Sequence, residues 1–181
     1  MFKVLIVDDE ILVRVGMKSM MNWDDHGYKI VGEAGNGQQA IELIKETEPD
    51  IVITDIKMPI MDGLELMEWA QKEFPDLKFI ILSCHNEFKY AKKALKLGAC
   101  DYILKLSMKR EGLLEILNDV KEKIISEKQK AGIYKTPEGK SDYQIVKDDF
   151  FKWLVSEDDI SRYLLKQRMN RISIELDTPF T

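Results

Sequence analysis

The stretch Ile51-Val52-Ile53-Thr54-Asp55 limits the fold more than any other, because an apolar, β-branched run leads straight into a carboxylate. An unbroken run of this length reads as a strand buried on both faces. Pro59 and Gly63 stop and turn the chain just beyond it. Strands covered on both faces belong to parallel sheets flanked by helices, and open sheets of that kind keep ligand sites at the carboxyl ends of their strands. Asp55 is therefore expected at a site. An Asp after a strand also serves as a plain turn residue, so its meaning depends on what the other strand ends carry.

Four further runs behave alike. Lys3 to Val7 leads into Asp8-Asp9-Glu10, and Tyr28 to Ala34 into Gly35-Asn36-Gly37. Leu77 to Leu82 leads into Ser83-Cys84-His85, and Asp101 to Leu104 into Lys105. Helical spacing fills the gaps: Ile11 to Met21, Gln38 to Glu46, Gly63 to Phe74 with Asp62 as N-cap, and Phe88 to Leu97 closed by Gly98. A last helix begins near Ser107 or Lys109. Strands alternating with helices through short loops predict an α/β domain over residues 1–125. Right-handed crossovers favour a five-stranded parallel, doubly wound, flavodoxin-like sheet in the order 2-1-3-4-5.

Leu113, Leu117, Val120 and Ile124 form a heptad-like seam on the last helix. They pack on the sheet or support a homodimer through that helix. Residues 126–140 carry Gly132, Pro137 and Gly139 and read as a linker. Residues 141–181 regain helical spacing, with Phe150, Trp153 and Leu154 in one cluster; they are expected to be the truncated start of a further region. The formal net charge of -5 points to neither nucleic acid nor an anionic membrane surface. No apolar run is long enough to cross a bilayer, and the N-terminus lacks the layout of a signal peptide. Two cysteines, Cys84 and Cys100, without a C-x-x-C, suit reduced thiols in the cytoplasm.

In the order 2-1-3-4-5, strands one, three, four and five are neighbours, so Asp8, Asp9, Asp55, Ser83 and Lys105 converge on one crevice. Three carboxylates do not crowd together ionised without a cation, and hard oxygen ligands suit Mg²⁺. A Lys ammonium and a Ser hydroxyl beside them both fit an incoming oxyanion. The set makes sense as a carboxylate nucleophile that accepts a phosphoryl group.

Val7-Asp8-Asp9-Glu10, Asp55 with Met58-Pro59 and Asp62-Gly63, Ser83, and Tyr102-x-x-Lys105 resemble the motif set of response-regulator receiver domains. The resemblance implies that a sensor histidine kinase phosphorylates Asp55. It implies Mg²⁺ on Asp9, Asp55 and the Lys57 backbone carbonyl, with Asp8 holding a metal-bound water. Ser83 and Tyr102 would be the switch pair, and the last two helices with the strand between them the output face. No enzymatic turnover is implied. Lys57 and His85 would line the path of the attacking water and tune the lifetime of the phosphorylated form. Leu106 departs from the family, which has Pro after the Lys on a cis bond; the departure puts the placement of Lys105 in question. The tail is similar to the middle region of response regulators that end in an AraC-family DNA-binding domain, which would lie outside this chain. A stand-alone phosphorelay receiver is the alternative.

Two other readings compete. Gly35-x-Gly37-x-x-Ala40, with Asp55 at the next strand end, is close to a dinucleotide-binding fingerprint. It leaves Asp8, Asp9, Ser83 and Lys105 without a role. A haloacid-dehalogenase-like phosphatase also uses Asp, Mg²⁺ and Lys, but wants two carboxylates two positions apart. Adjacent Asp8 and Asp9 are expected to point to opposite faces of the strand end.

Overall fold

The computed structural model describes residues 1–84 and 88–130. The expectations for His85, for the linker beyond residue 130 and for the helical segment 141–181 lie outside the described residues. Five strands, β1 (Phe2–Val7), β2 (Tyr28–Ala34), β3 (Ile51–Asp55), β4 (Lys78–Ser83) and β5 (Asp101–Leu104), form one sheet. All pairings are parallel and the order is β2-β1-β3-β4-β5. The helices are α1 (Ile11–Ser19), α2 (Gly37–Thr47), α3 (Gly63–Glu73), α4 (Phe88–Lys96) and α5 (Arg110–Lys130). Short 3₁₀ turns cover Asp24–His26 and Lys105–Ser107.

The continuous apolar runs have a direct cause: each central strand feeds two cores. Val4, Ile6, Ile51, Ile53, Ile80 and Leu82 face one layer with Met17 of α1 and Leu113, Leu117, Val120 and Ile124 of α5. Leu5, Val7, Val52, Phe79 and Ile81 face the other with Ala40, Ile41 and Ile44 of α2, Leu64, Leu66, Met67 and Ala70 of α3, and Ala94 of α4. The heptad-like seam is therefore spent inside the domain. Leu113, Leu117, Val120 and Ile124 are buried, so a homodimer of this folded domain cannot use them. A four-three spacing describes any helix laid on a sheet, which is why it mimicked a coiled coil.

The elements end where local chemistry ends them. Asp62 accepts from the Glu65 N–H at 2.7 Å while Glu65 accepts from the Asp62 N–H at 2.9 Å, a reciprocal capping box on α3. Asn36 Oδ1 accepts from the Gln39 N–H at the start of α2. Past α4, Gly98 takes φ +79°. The Ala99 and Gly98 N–H groups return to the Ala94 and Leu95 carbonyls, satisfying the helix end. The helix α5 runs to Lys130, further than the predicted end near residue 125. Its last turns are tied to the amino edge of the sheet by Lys78–Glu127 at 2.6 Å and Lys128–Asp50 at 3.6 Å.

Tyr28 is fully buried at the start of β2, and its hydroxyl donates to Asn118 Oδ1 of α5 at 3.0 Å. Burial, reinforced by the Asp119 charge, pushes its phenol up to about 12. A raised value in the fold means that the neutral form is the one stabilised. That stability is complete below about pH 10 and is lost as pH rises toward 12. Denaturant unfolding of the wild type is expected to lose about 2–3 kcal/mol over this interval beyond any loss in Tyr28→Phe. The variant itself costs ~1 kcal/mol at neutral pH for the missing hydrogen bond.

Candidate functional site: an acidic cluster at the carboxyl edge of the sheet

The strand register builds the site. Val7 pairs with Thr54, so Asp8, the next residue, falls beside Asp55. Asp55 pairs with Leu82, and Ser83 pairs with Leu104. Asp8 and Asp55 thus lie level, Ser83 falls one position further along and Lys105 one beyond that, all on one edge. Asp8 and Asp55 are almost fully buried and Asp9 is exposed. One carboxylate oxygen from each of Asp8, Asp9 and Asp55 lies within 4.8 Å of the others. Asp8 and Asp9 do not diverge as strand alternation predicted. Strand β1 stops at Val7, and past it the chain turns into α1.

Lys105 is the hub. Its ammonium sits 2.6 Å from Asp55 Oδ2, 2.8 Å from Asp8 Oδ2 and 3.0 Å from Glu10 Oε1. Burial works against this charge, yet the hydrogen bonds to Asp55, Asp8 and Glu10 outweigh it and hold the ammonium above the usual lysine range. No cis peptide bond occurs among the described residues, so Lys105 reaches the cluster with a trans bond to Leu106. Asp8 Oδ1 also accepts from the Glu10 N–H at 2.9 Å, and Asp55 Oδ1 from the Ile56 N–H at 2.5 Å. Even so, burial raises the Asp8 carboxyl above its ordinary value despite the adjacent ammonium. Its charge is incompletely balanced.

The loop after β3 closes over the same edge. The Gly63 N–H donates to the Ile56 carbonyl at 2.9 Å. A Cβ at Gly63 would run into the Asp55 carbonyl, so only glycine lets α3 begin this close. Ser83 is buried at the end of β4. Tyr102 of β5 is half-buried and packs against the α2–α3–α4 core layer. Lys57 is exposed, with its ammonium 5.2 Å from the centroid of the Tyr90 ring on α4.

The glycine turn before α2 does not serve a dinucleotide. The Gly35 N–H is taken by Gln39 Oε1, the Gln39 N–H by Asn36 Oδ1 and the Gly37 N–H by the Met61 carbonyl. A side chain at Gly37 would also meet Met61. None of these donors is left for a phosphate.

Glu10 stood in the sequence motif without a role and Arg14 was not named there, yet both touch the cluster. Arg14 Nη1 donates to the Asp8 carbonyl at 2.5 Å. The available signal was helix α1 itself, which carries more apolar residues than one buried face holds. Ile11, Leu12 and Val15 are exposed while Met17 is buried.

The donor set is three carboxylates, all oxygen, and among the described residues Lys105 alone places an ammonium on them. The residues fit a hard divalent cation that keeps several of its waters. Fold and site together define a flavodoxin-like α/β domain with a cation-competent acidic edge. The model of the response regulator receiver domain family matches residues 4–118, more than half of the chain, and the chain belongs to that family. It is similar to the uncharacterized transcriptional regulatory protein YesN of Bacillus subtilis, at 40% identity over 134 residues. That match covers 72% of this chain and 36% of the relative, so the chain spans about a third of its length. The REC domain of AraT, a response regulator from Geobacillus stearothermophilus, is similar in structure with a TM-score of 0.65 and 38% identity. The similarity covers 70% of this chain and 98% of that one. A chain of the CheX-CheY-BeF3-Mg complex of Borrelia burgdorferi is similar with a TM-score of 0.60 and 28% identity, over 66% and 88% of the two chains. Among the described residues, no helix is long and apolar enough to cross a membrane.

Because the Lys105 ammonium occupies carboxylate oxygens that a cation would use, Lys105→Met is expected to bind Mg²⁺ more tightly. A gain of about tenfold corresponds to ~1.4 kcal/mol. Calorimetric titration of both proteins with magnesium chloride checks this, and equal or weaker binding by the variant contradicts it.

Proposed function

We propose that this chain is the phosphoacceptor part of a two-component response regulator, with Asp55 accepting a phosphoryl group from a sensor histidine kinase in a Mg²⁺-dependent transfer. The observation that carries this reading is the convergence of Asp8, Asp9 and Asp55 within 4.8 Å, with an ammonium 2.6 Å from Asp55 Oδ2. Phosphoryl transfer needs positioning and charge neutralisation more than covalent chemistry from the protein. An Asp55 oxygen attacks phosphorus while the bond from phosphorus to the kinase imidazole nitrogen breaks, and the electron pair returns to that nitrogen. Asp9, Asp55 and the Lys57 backbone carbonyl would hold Mg²⁺, with Asp8 on one of its waters. The ion, when bound, screens the phosphoryl oxygens from the carboxylates. Lys105 exchanges a carboxylate partner for the phosphoryl group, the Ser83 hydroxyl donates to it, and Tyr102 turns into the space Ser83 leaves. Asp55 is itself the group modified and no separate substrate is turned over, so on this reading the chain acts as a switch rather than an enzyme.

The rim supports a protein phosphodonor. Ile11, Leu12 and Val15 are 65%, 85% and 54% exposed beside Asp8 and Asp9, and Leu106 is 93% exposed beside Lys105. Large apolar side chains gathered in the open mark a contact surface. A helical partner carrying the phosphohistidine would cover them. The family and the transcriptional regulatory name of the Bacillus relative support an output on transcription. We place that output in an AraC-family DNA-binding domain outside this chain, reached through α4, β5 and α5. The reading puts the protein in the cytoplasm with its kinase's phosphodonor.

Intact-protein mass spectrometry after treatment with acetyl phosphate and Mg²⁺ tests the proposal. One added phosphoryl group is expected on the wild type and none on Asp55→Asn or in excess chelator. An unmodified wild type, or equal modification of Asp55→Asn, contradicts it.

Lys57 bears on the lifetime of the product. Its ammonium lies over Tyr90 and, drawn to a phosphoryl group, would obstruct the attacking water. The phosphorylated form of Lys57→Asn is expected to decay about tenfold faster, equivalent to ~1.4 kcal/mol off the barrier. Slower decay in the variant, followed by loss of the added mass, would sink this role.

A further inference from the structure

We propose that Arg14 is a positioning residue for the acidic cluster: its guanidinium, held between Glu33 and the Asp8 carbonyl, sets the turn that aims Asp8 and Asp9 at Asp55. The proposal rests on the reading of that cluster as a divalent-cation site.

Strand pairing fixes side-chain direction only as far as Val7, the last residue of β1. Beyond it something else must hold two successive carboxylates toward one point. Besides the Lys105 ammonium on its Oδ2, three contacts to Asp8 do so. Its N–H donates to the Ala34 carbonyl at 3.0 Å, and its Oδ1 accepts from the Glu10 N–H at 2.9 Å. Its carbonyl accepts from Arg14 Nη1 at 2.5 Å. The first two contacts extend the sheet and start the turn. The third is made by a side chain that a helix tilts back toward its own N-terminus.

Arg14 is itself anchored. Its side chain is 16% exposed, and its Nε lies 3.7 Å from Glu33 Oε2 of β2. Glu33 Oε1 is in turn fixed by the Lys18 ammonium at 2.6 Å. Lys18 and Arg14 are one turn apart on α1, so both cations straddle one carboxylate. Glu33 pairs in register with Ile6, two residues before Asp8. The chain Lys18–Glu33–Arg14–Asp8 therefore ties helix α1 and strand β2 to the turn carrying the metal-facing carboxylates. Arg14 Nε is buried and makes no hydrogen bond, so the link to Glu33 is ionic and the directed hydrogen bond goes to Asp8.

Charge alone predicts the opposite sign from positioning. A guanidinium near the cluster repels a divalent cation, so removing it would tighten binding. If Arg14 acts by holding the Asp8 carbonyl, removing it loosens the turn and weakens binding. Outer partners that orient metal ligands are typically worth 10–100-fold in affinity.

The test is calorimetric titration of the full 181-residue chain with magnesium chloride alone, with Asp55→Asn as the reference for loss of the site. Arg14→Met is expected to bind about tenfold more weakly than wild type. Arg14→Lys keeps a donor of similar reach and is expected to recover most of that loss, which a charge or packing role confined to the guanidinium does not require. Glu33→Gln is expected to fall between. Binding by Arg14→Met as tight as wild type, or tighter, overturns the proposal. Should that variant lack a native circular dichroism spectrum, unchanged affinity in Glu33→Gln overturns it and weakened affinity supports it. A wild type that binds no more Mg²⁺ than Asp55→Asn removes the cation-site reading and this proposal together. Unchanged affinity in Arg14→Met beside a binding wild type removes this proposal alone.

Discussion

One ammonium among carboxylates is the interaction on which the rest depends. Lys105 touches Asp8, Asp55 and Glu10 at 3.0 Å or less, and Asp9 shares the cluster. Among the described residues Lys105 is the cation on these carboxylates, and one ammonium does not balance them in a partly desolvated edge. The arrangement is tolerable because each carboxylate also has backbone donors or solvent: Asp8 has the Glu10 N–H, Asp55 the Ile56 N–H, and Asp9 is exposed. It remains poised for a second cation. The register of β1, β3, β4 and β5 sets the spacing, and Gly63 lets the next helix start without displacing Asp55.

Most of the fold was legible because one physical fact wrote it into the chain. Strands covered on both faces must be apolar throughout, so Ile51 to Thr54 and Ile80 to Leu82 stand out without any alternation. The caps were equally local, since Asp62 and Gly98 act on atoms three or four residues away. The site was legible only as far as strand ends mark it. Asp8, Asp55, Ser83 and Lys105 follow from the topology, but their partners across the edge do not. Lys105 meets Glu10 ninety-five positions away, and nothing local announces that pair. Leu113, Leu117, Val120 and Ile124 show the reverse problem. Their pattern was clear, but spacing alone does not say whether a sheet or another helix receives it. Adjacent Asp8 and Asp9 misled because strand alternation was extended past the end of the strand.

The two edges of the sheet divide the work. At the amino edge, unlike charges meet: Asp50 accepts from the Lys3 N–H and pairs with Lys128, Lys78 pairs with Glu127, and Lys121 lies over Phe2 and Tyr28. Such contacts are individually modest. They hold the last turns of α5 to the strands whose far ends carry the site. At the carboxyl edge, like charges are gathered and apolar side chains stand in solvent. Local rules are kept at one edge and broken at the other, and such breaches concentrate where a protein functions.

That asymmetry sets the sign of substitutions before any detail of mechanism enters. Neutralising a carboxylate at the carboxyl edge removes repulsion, so it tends to leave the fold as stable or more so while removing the chemistry. Lys105 is the exception at that edge, because taking it away leaves Asp8 and Asp55 buried with fewer counter-charges, a costly state. Arg14 belongs with neither group. It adds positive charge close to a site that already repels nothing but anions, yet its hydrogen bond goes to a backbone carbonyl rather than to a carboxylate. A cation placed for compensation would face the carboxylates directly, as Lys105 does. The geometry of Arg14 instead serves the direction of the chain, and the strength of the acidic cluster depends on that direction as much as on the charges it contains.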